Sequence, residues 1–194
     1  VTNIVFMGMG EPFLNYKNVI GSCKILCDHN GFNIGTKRIT ISTSGILPKM
    51  NLYFKEGHKY KIAISLNASN NTTRNKIIPI NKKWNIEKLI SSIKKYKFID
   101  SRPIMIEYVL LKDLNDSKED AIRLANLLDG IKCKINLIPF NEIFGTYKRP
   151  NTKQINDFSE TLNKYGENLR VLIRWSKGED IQAACGQLAT NNES

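Results

Sequence analysis

No run of apolar residues in the 194-residue chain approaches the roughly 20 that a membrane-spanning helix needs. The opening VTNIVFMGMG carries no basic stretch and no small-residue cleavage site, so it does not read as a secretory leader. It also lacks an initiator methionine and starts inside a strand-like run, which reads as the start of a fragment of something longer. Cysteine is scarce: Cys23, Cys27, Cys133 and Cys185 are too few and too irregularly spaced for a disulfide scaffold. That points to a reducing compartment, the cytoplasm or an organelle of a eukaryote. Acidic residues are the minority, 18 Asp+Glu against 29 Lys+Arg, giving a net charge of +11. Such an excess suits a polyanionic partner such as nucleic acid. Compositional drift is the alternative, because Lys, Asn and Ile are abundant together. The chain is 41% hydrophobic, which fits one globular domain with a substantial core.

Short runs rich in β-branched residues predict strands at 3–7, 38–42, 60–66, 104–111, 135–140 and 170–174. Helical periodicity lies between them. Val19, Ile20, Cys23 and Leu26 share one stripe over 17–28, and Ile86, Leu89, Ile90, Ile93 and Tyr96 share another over 86–97. Ser117 and Asp120 stand at capping-box spacing ahead of a helix that stops by Gly130, and a further helix runs from about 153 to Gly166. Alternating strands and helices imply an α/β fold with a parallel sheet and crossover helices. Polar clusters follow the strands at their C-terminal ends: GEP, STSG, SLNAS and FNE. In parallel α/β folds, ligands bind along that rim.

The first of these clusters, in FMGMGEP, is a poor phosphate loop. Gly8 and Gly10 fit the start of a dinucleotide fingerprint, but its third glycine is replaced by Phe13. Glu11 repels a pyrophosphate, and Pro12 removes an N–H donor. The loop suits a cation instead, since the Glu11 carboxylate or a nearby carbonyl can accept from an ammonium group. The alternative is a tight strand-to-helix turn with Glu11 solvated.

Gly8-Met9-Gly10-Glu11-Pro12 resembles the GGEP-type motif of radical S-adenosylmethionine (SAM) enzymes. More narrowly, VFMGMGEPFLNY, RITISTSGI, AISLNA, IIPINKKWNIE, IEYVLLKDLND, CKINLIPFN and GEDIQAACGQLA resemble, in order, the RlmN-type adenine C2 methyltransferases of ribosomal and transfer RNA. The resemblance implies a radical-SAM-type partial (β/α) barrel with its first strand missing. Residues 1–190 then form the C-terminal part of the catalytic barrel, and 191–194 form a polar tail. It further implies a SAM pocket in which Gly10 and Glu11 contact the methionine moiety. Ser42, Ser65, Leu66, Asn67 and Asn141 fall on the other SAM-contact positions. Asn67 departs from the family, which usually has His there: a backbone contact survives that change, whereas an acid–base role does not.

Taken alone, Cys185 reads as a buried structural thiol. The resemblance makes it instead the cysteine that accepts a methyl group from one SAM. A second SAM then yields a deoxyadenosyl radical that abstracts hydrogen from the S-methyl group, and the resulting carbon radical adds to the electrophilic C2 of adenine. Cys23 and Cys27 imitate half of the C-x-x-x-C-x-x-C motif for a four-iron, four-sulfur cluster, but the third position is Asn30 and the pair lies on a helical stripe. His29 reads as a surface residue and Cys133 as core. The resemblance places the cluster ligands upstream of Val1, so no metal ligand is assigned within the chain, and the chain alone is expected to be inactive. The expected partner is ribosomal RNA, with transfer RNA as a second, bound by a monomer without a membrane. Candidate contacts are Lys82, Lys83, Lys94, Lys95, Lys97, Lys132, Lys134, Lys148, Arg149, Arg170, Arg174 and Lys177, beside Trp84 and Tyr147, with Lys148 and Arg149 foremost. The alternatives are a Cfr-type adenine C8 methyltransferase and a non-catalytic SAM- or RNA-binding remnant.

Overall fold

The computed structural model describes residues 1–7, 10–97, 103–141 and 146–175. The apolar, β-branched runs form six strands: β1 (Ile4–Phe6), β2 (Ile39–Thr43), β3 (Lys61–Ser65), β4 (Ile104–Leu110), β5 (Cys133–Pro139) and β6 (Leu169–Ile173). They make one sheet in the order β1-β2-β3-β4-β5-β6, and every neighbouring pair is parallel. Helices α1 (Tyr16–Cys27), α2 (Leu47–Lys55), α3 (Asn71–Ile77), α4 (Ile86–Lys97), α5 (Lys118–Leu127) and α6 (Thr152–Tyr165) fill the crossovers. Parallel neighbours joined in sequence by right-handed crossovers carry their helices on a single face. The expected partial barrel of parallel strands with crossover helices is therefore the observed architecture. The outer edge of β1 has no strand partner among the described residues.

The two faces of the sheet differ in chemistry, and period-two alternation fixes which residue goes where. One face stacks Ile41, Ile62, Ile64, Ile106 and Ile135 in register against the helices, and all five are buried. Burying such a side chain contributes about 1.5–3 kcal/mol. The helices complete this core: Phe54 of α2 stacks on Tyr96 of α4 at 3.8 Å, and Phe158 of α6 meets Tyr108 of β4 at 5.4 Å between ring centroids. The other face carries Ser42 on β2, Ser65 on β3, Glu107 on β4 and Asn136 on β5, with Ser65 paired to Glu107 and Glu107 to Asn136. A polar face of this kind is available to a ligand.

The helix termini follow local chemistry. Ser117 caps α5 by accepting from the Asp120 amide, whereas the Asp120 carboxylate turns away to take the hydroxyls of Ser117 and Ser69. The complete reciprocal box stands at α6, between Asn151 and Gln154. Helix α2 starts with Pro48 in its first turn, where the missing N–H costs nothing. Helix α3 has no apolar stripe and buries Thr73 and Arg74 instead.

Gly166 ends α6 with ordinary negative φ, so its role is space. A Cβ there would stand 2.9 Å from the Leu162 carbonyl oxygen and would collide with the Leu169 side chain at the head of β6. Gly166→Ala is expected to lower stability by about 1–3 kcal/mol through overpacking, read from urea unfolding, with the denaturant slope unchanged.

Candidate functional site

The C-terminal ends of β1, β2 and β3 converge on a cleft of about 150 Å³ lined by Met7, Gly10, Glu11, Pro12, Ser42, Thr43, Ser44 and Ser65. Four of the expected site residues, Gly10, Glu11, Ser42 and Ser65, thus meet in one place. Among the described residues lining it there is one carboxylate and no basic side chain. In a chain of net charge +11, that makes the cleft locally acidic and rich in acceptors.

Glu11 is the organiser of this cleft. Its Oε1 accepts from the Phe13 amide at 3.0 Å and the Thr43 hydroxyl at 2.7 Å, and its Oε2 accepts from the amide and hydroxyl of Ser44, both at 2.7 Å. The carboxylate therefore caps the 3₁₀ turn Pro12–Asn15 and ties the loop after β1 to the loop after β2. A carboxylate offers about four lone-pair positions, and all four are in use. Glu11 thus gives the cleft its negative charge and its loop geometry, and is not an open acceptor. Gly10 precedes it with φ +110°, a conformation that side chains rarely adopt.

Ser42 and Ser65 stand beneath the cleft and both turn to a residue that sequence patterning did not single out. Ser42 donates to Glu107 Oε2 at 2.9 Å and Ser65 to the same oxygen at 3.4 Å, while Glu107 is 3% exposed. Burial pushes the Glu107 carboxyl above its ordinary range, opposed by the Ser42 bond, the charge of Arg174 and the Ser65 bond. The legible signal was an acid inside the apolar run IMIEYVL, at an alternate position facing away from the helices.

The loop after β3 is held by backbone bonds. Leu66 is wholly buried, its amide bonded to the Glu107 carbonyl and its own carbonyl to Arg74. Asn67 adopts φ +55°, accepts from the Val109 amide with its side-chain oxygen at 2.9 Å, and gives its carbonyl to Asn115 at 2.8 Å. Asn is one of the residues enriched in left-handed backbone, which suits it to this position. The fully buried Arg74 donates to the carbonyls of Ser44, Ser65 and Leu66 and to Asn81. Burial lowers its pKa to about 10, so it stays charged at neutral pH. Asn141, buried after β5, shares the rim but does not line the cleft.

Cys23 lies wholly buried on the core stripe of α1 with its pKa pushed up to about 12 by burial, Cys27 packs beside it, and Cys133 is core. His29 is exposed. Among the described residues no three His, Cys, Asp or Glu side chains stand close enough together to hold a metal ion. Cys185, Lys177 and the tail 191–194 lie outside the described residues.

A second feature occupies the same rim after β5 and β6. Arg149 lies over the Trp175 ring at 5.8 Å, Tyr147 and Trp175 are 40% and 45% exposed, and Lys112 donates its amide to the Lys148 carbonyl, pinning the loop. Lys132 and Lys134 sit at the opposite end of the sheet, at the start of β5. Trp84 is half-buried against the core under Lys83 and is not a free platform.

The parallel sheet with crossover helices agrees with what the comparisons with known proteins find. The family profile of the radical SAM superfamily matches residues 1–125, and the chain belongs to that superfamily. It is 49% identical over 193 residues to a probable dual-specificity RNA methyltransferase RlmN of Pseudothermotoga lettingae, covering 99% of this chain and 55% of that protein. It is 50% identical over 194 residues to the dual-specificity RNA methyltransferase RlmN of Buchnera aphidicola subsp. Cinara cedri, covering 97% and 53%. A radical SAM methyltransferase from Sphaerobacter thermophilus superposes with a TM-score of 0.92 at 41% identity, covering 96% of this chain and 55% of that one. The chain spans about half the length of the curated relatives it matches.

Membership of the superfamily brings SAM and a four-iron, four-sulfur cluster as cofactors. The cleft fits the first of these: acceptor oxygens and one negative charge suit a ligand with a sulfonium, an ammonium and ribose hydroxyls. The described residues supply no ligand set for the second.

The Asn67 geometry is testable by a pair of variants. Asn67→Gly keeps the backbone conformation and orphans the Val109 amide, costing about 1–3 kcal/mol. Asn67→Ala adds left-handed strain and is expected to be less stable than the glycine variant by about 1 kcal/mol in thermal unfolding.

Proposed function

We propose that the chain is the SAM- and RNA-binding part of a radical SAM methyltransferase that methylates C2 of an adenine in ribosomal RNA, with transfer RNA as a second substrate. The observation that carries this reading is the cleft of Gly10, Glu11, Ser42 and Ser65, lined by one carboxylate and no basic side chain, in an otherwise basic protein. The relatives named RlmN support the choice of RNA as substrate. When bound with its cluster, SAM supplies both the methyl group and the radical chemistry that an electrophilic ring carbon requires.

The chain's own residues then divide the work. Glu11 holds the loop after β1 against Thr43 and Ser44, so that the backbone at Gly10 faces the methionine end of the cofactor. Ser42 and Ser65 present hydroxyl oxygens at the floor of the cleft, and Asn67 acts through its fixed backbone. Leu66 and Asn141 complete the rim around them. Cys185 carries the methyl group as S-methylcysteine before its delivery to adenine. Arg149, Lys148 and Arg174 meet phosphates, while Tyr147 and Trp175 offer faces to unstacked bases.

Two measurements test the reading. Peptide mass spectrometry of the full-length, cluster-loaded protein after incubation with SAM is expected to show a 14 Da increment on the peptide bearing Cys185 (roughly one methylene), and an unmodified peptide removes the covalent intermediate. Trp175→Ala is expected to weaken RNA binding by about 1–3 kcal/mol. Arg149→Ala is expected to reduce the salt dependence of binding by about one phosphate contact. Neither should alter SAM affinity, and unchanged RNA affinity in both removes this rim from the RNA interface.

A further inference from the structure

Glu107 is a buried carboxylate that none of the roles above uses. It does not line the cleft; it stands one layer behind it, with a single oxygen shared by the two serines that do. The serine oxygens are themselves 3.5 Å apart, so Ser42, Ser65 and Glu107 form one contiguous polar unit across β2, β3 and β4. A serine hydroxyl has one proton and two lone pairs. With both protons committed to Glu107, each hydroxyl shows only lone pairs toward the cleft.

We propose that Glu107 is a positioning residue that fixes the direction of the Ser42 and Ser65 hydroxyls, so that the cleft floor accepts hydrogen bonds and favours a cationic sulfonium ligand over its neutral thioether product. This rests on the reading of the cleft as the SAM site. Asn136 lies across from Glu107 on β5, and Arg174 approaches from the end of β6. Glu11 faces the same space through Thr43 and Ser44, and Arg74 holds the Ser65 carbonyl from behind. Burial raises the Glu107 pKa while both serine bonds and Arg174 oppose that rise, so the carboxylate's charge depends on its serine donors.

Glu107→Gln keeps the shape but replaces one acceptor oxygen with an N–H₂ donor. The oxygen that the two serines share becomes that of a neutral amide, a weaker acceptor than a carboxylate, so the serine protons are held less firmly and turn toward the cleft. A proton facing a sulfonium is unfavourable, whereas a thioether sulfur can accept it weakly. In the full-length, cluster-loaded protein, calorimetry with SAM and with S-adenosylhomocysteine is expected to show the SAM preference of the wild type reduced roughly tenfold in Glu107→Gln. In a Ser42→Ala/Ser65→Ala background the same substitution is expected to leave the preference unchanged. Equal loss of both affinities in Glu107→Gln means a purely structural role and overturns the proposal. A shift in preference that persists without the hydroxyls also overturns it, because the charge then acts without them. Carbon-13 NMR of the Glu107 carboxyl supplies a readout independent of ligand: its pKa is expected to rise in Ser42→Ala/Ser65→Ala. If the wild type binds neither compound, the cofactor reading of the cleft falls, and this titration decides the serine assignment alone, an unmoved pKa overturning it.

Discussion

The rim depends on one buried cation. Arg74 is wholly enclosed, and among the described residues no carboxylate pairs with it. Burying a guanidinium is costly unless its donors are met. Here they are met by the carbonyls of Ser44, Ser65 and Leu66 and by the Asn81 side chain, which itself bonds to Asn71 and Asn75. A single side chain on a short helix therefore fixes the loops after β2 and β3 relative to each other. With those carbonyls turned inward, the hydroxyls of Ser42, Ser44 and Ser65 are left for Glu11, Glu107 and the cleft. Every one of these bonds is internal to the chain, which is what a site requiring close placement needs.

Charge is partitioned on this rim despite the overall positive balance. The β1–β3 side offers carboxylate and hydroxyl oxygens. The β5–β6 side offers Lys148, Arg149 and Arg174 with exposed Tyr147 and Trp175. A cation is favoured at one end and an anion at the other.

The sheet was readable because its signal is local: six apolar runs of β-branched residues between glycine- and polar-rich turns, each found within a few residues of its observed bounds. Four helices were readable, α1 and α4 from their apolar stripes, α5 from its Ser117 cap and Gly130, and α6 from its stop at Gly166. Helix α3 was not, because it is anchored by Arg74 and a cap from Asn70 and not by an apolar face. Nor was α2, nine residues long and opened by a proline. The site's location was readable from polar clusters at strand ends, but its bonding was not. Sequence shows that Glu11 is acidic and loop-borne; it does not show that four internal donors saturate it, since Thr43 and Ser44 are 32 and 33 residues away. Glu107 breaks the apolar pattern of its strand, and a reading tuned to strand-end loops passes over a charge in mid-strand.

The strand order has a kinetic consequence. Every strand pairs with its predecessor in sequence, so each strand can dock as soon as it and its crossover helix are available, with no long loop left open. The residues that shape the cleft, from Met7 to Glu107, all lie on the first four strands or on the segments that connect them. During synthesis, from the N-terminus onward, the acceptor pocket can take shape on the ribosome while the basic, aromatic end of the rim is still being translated.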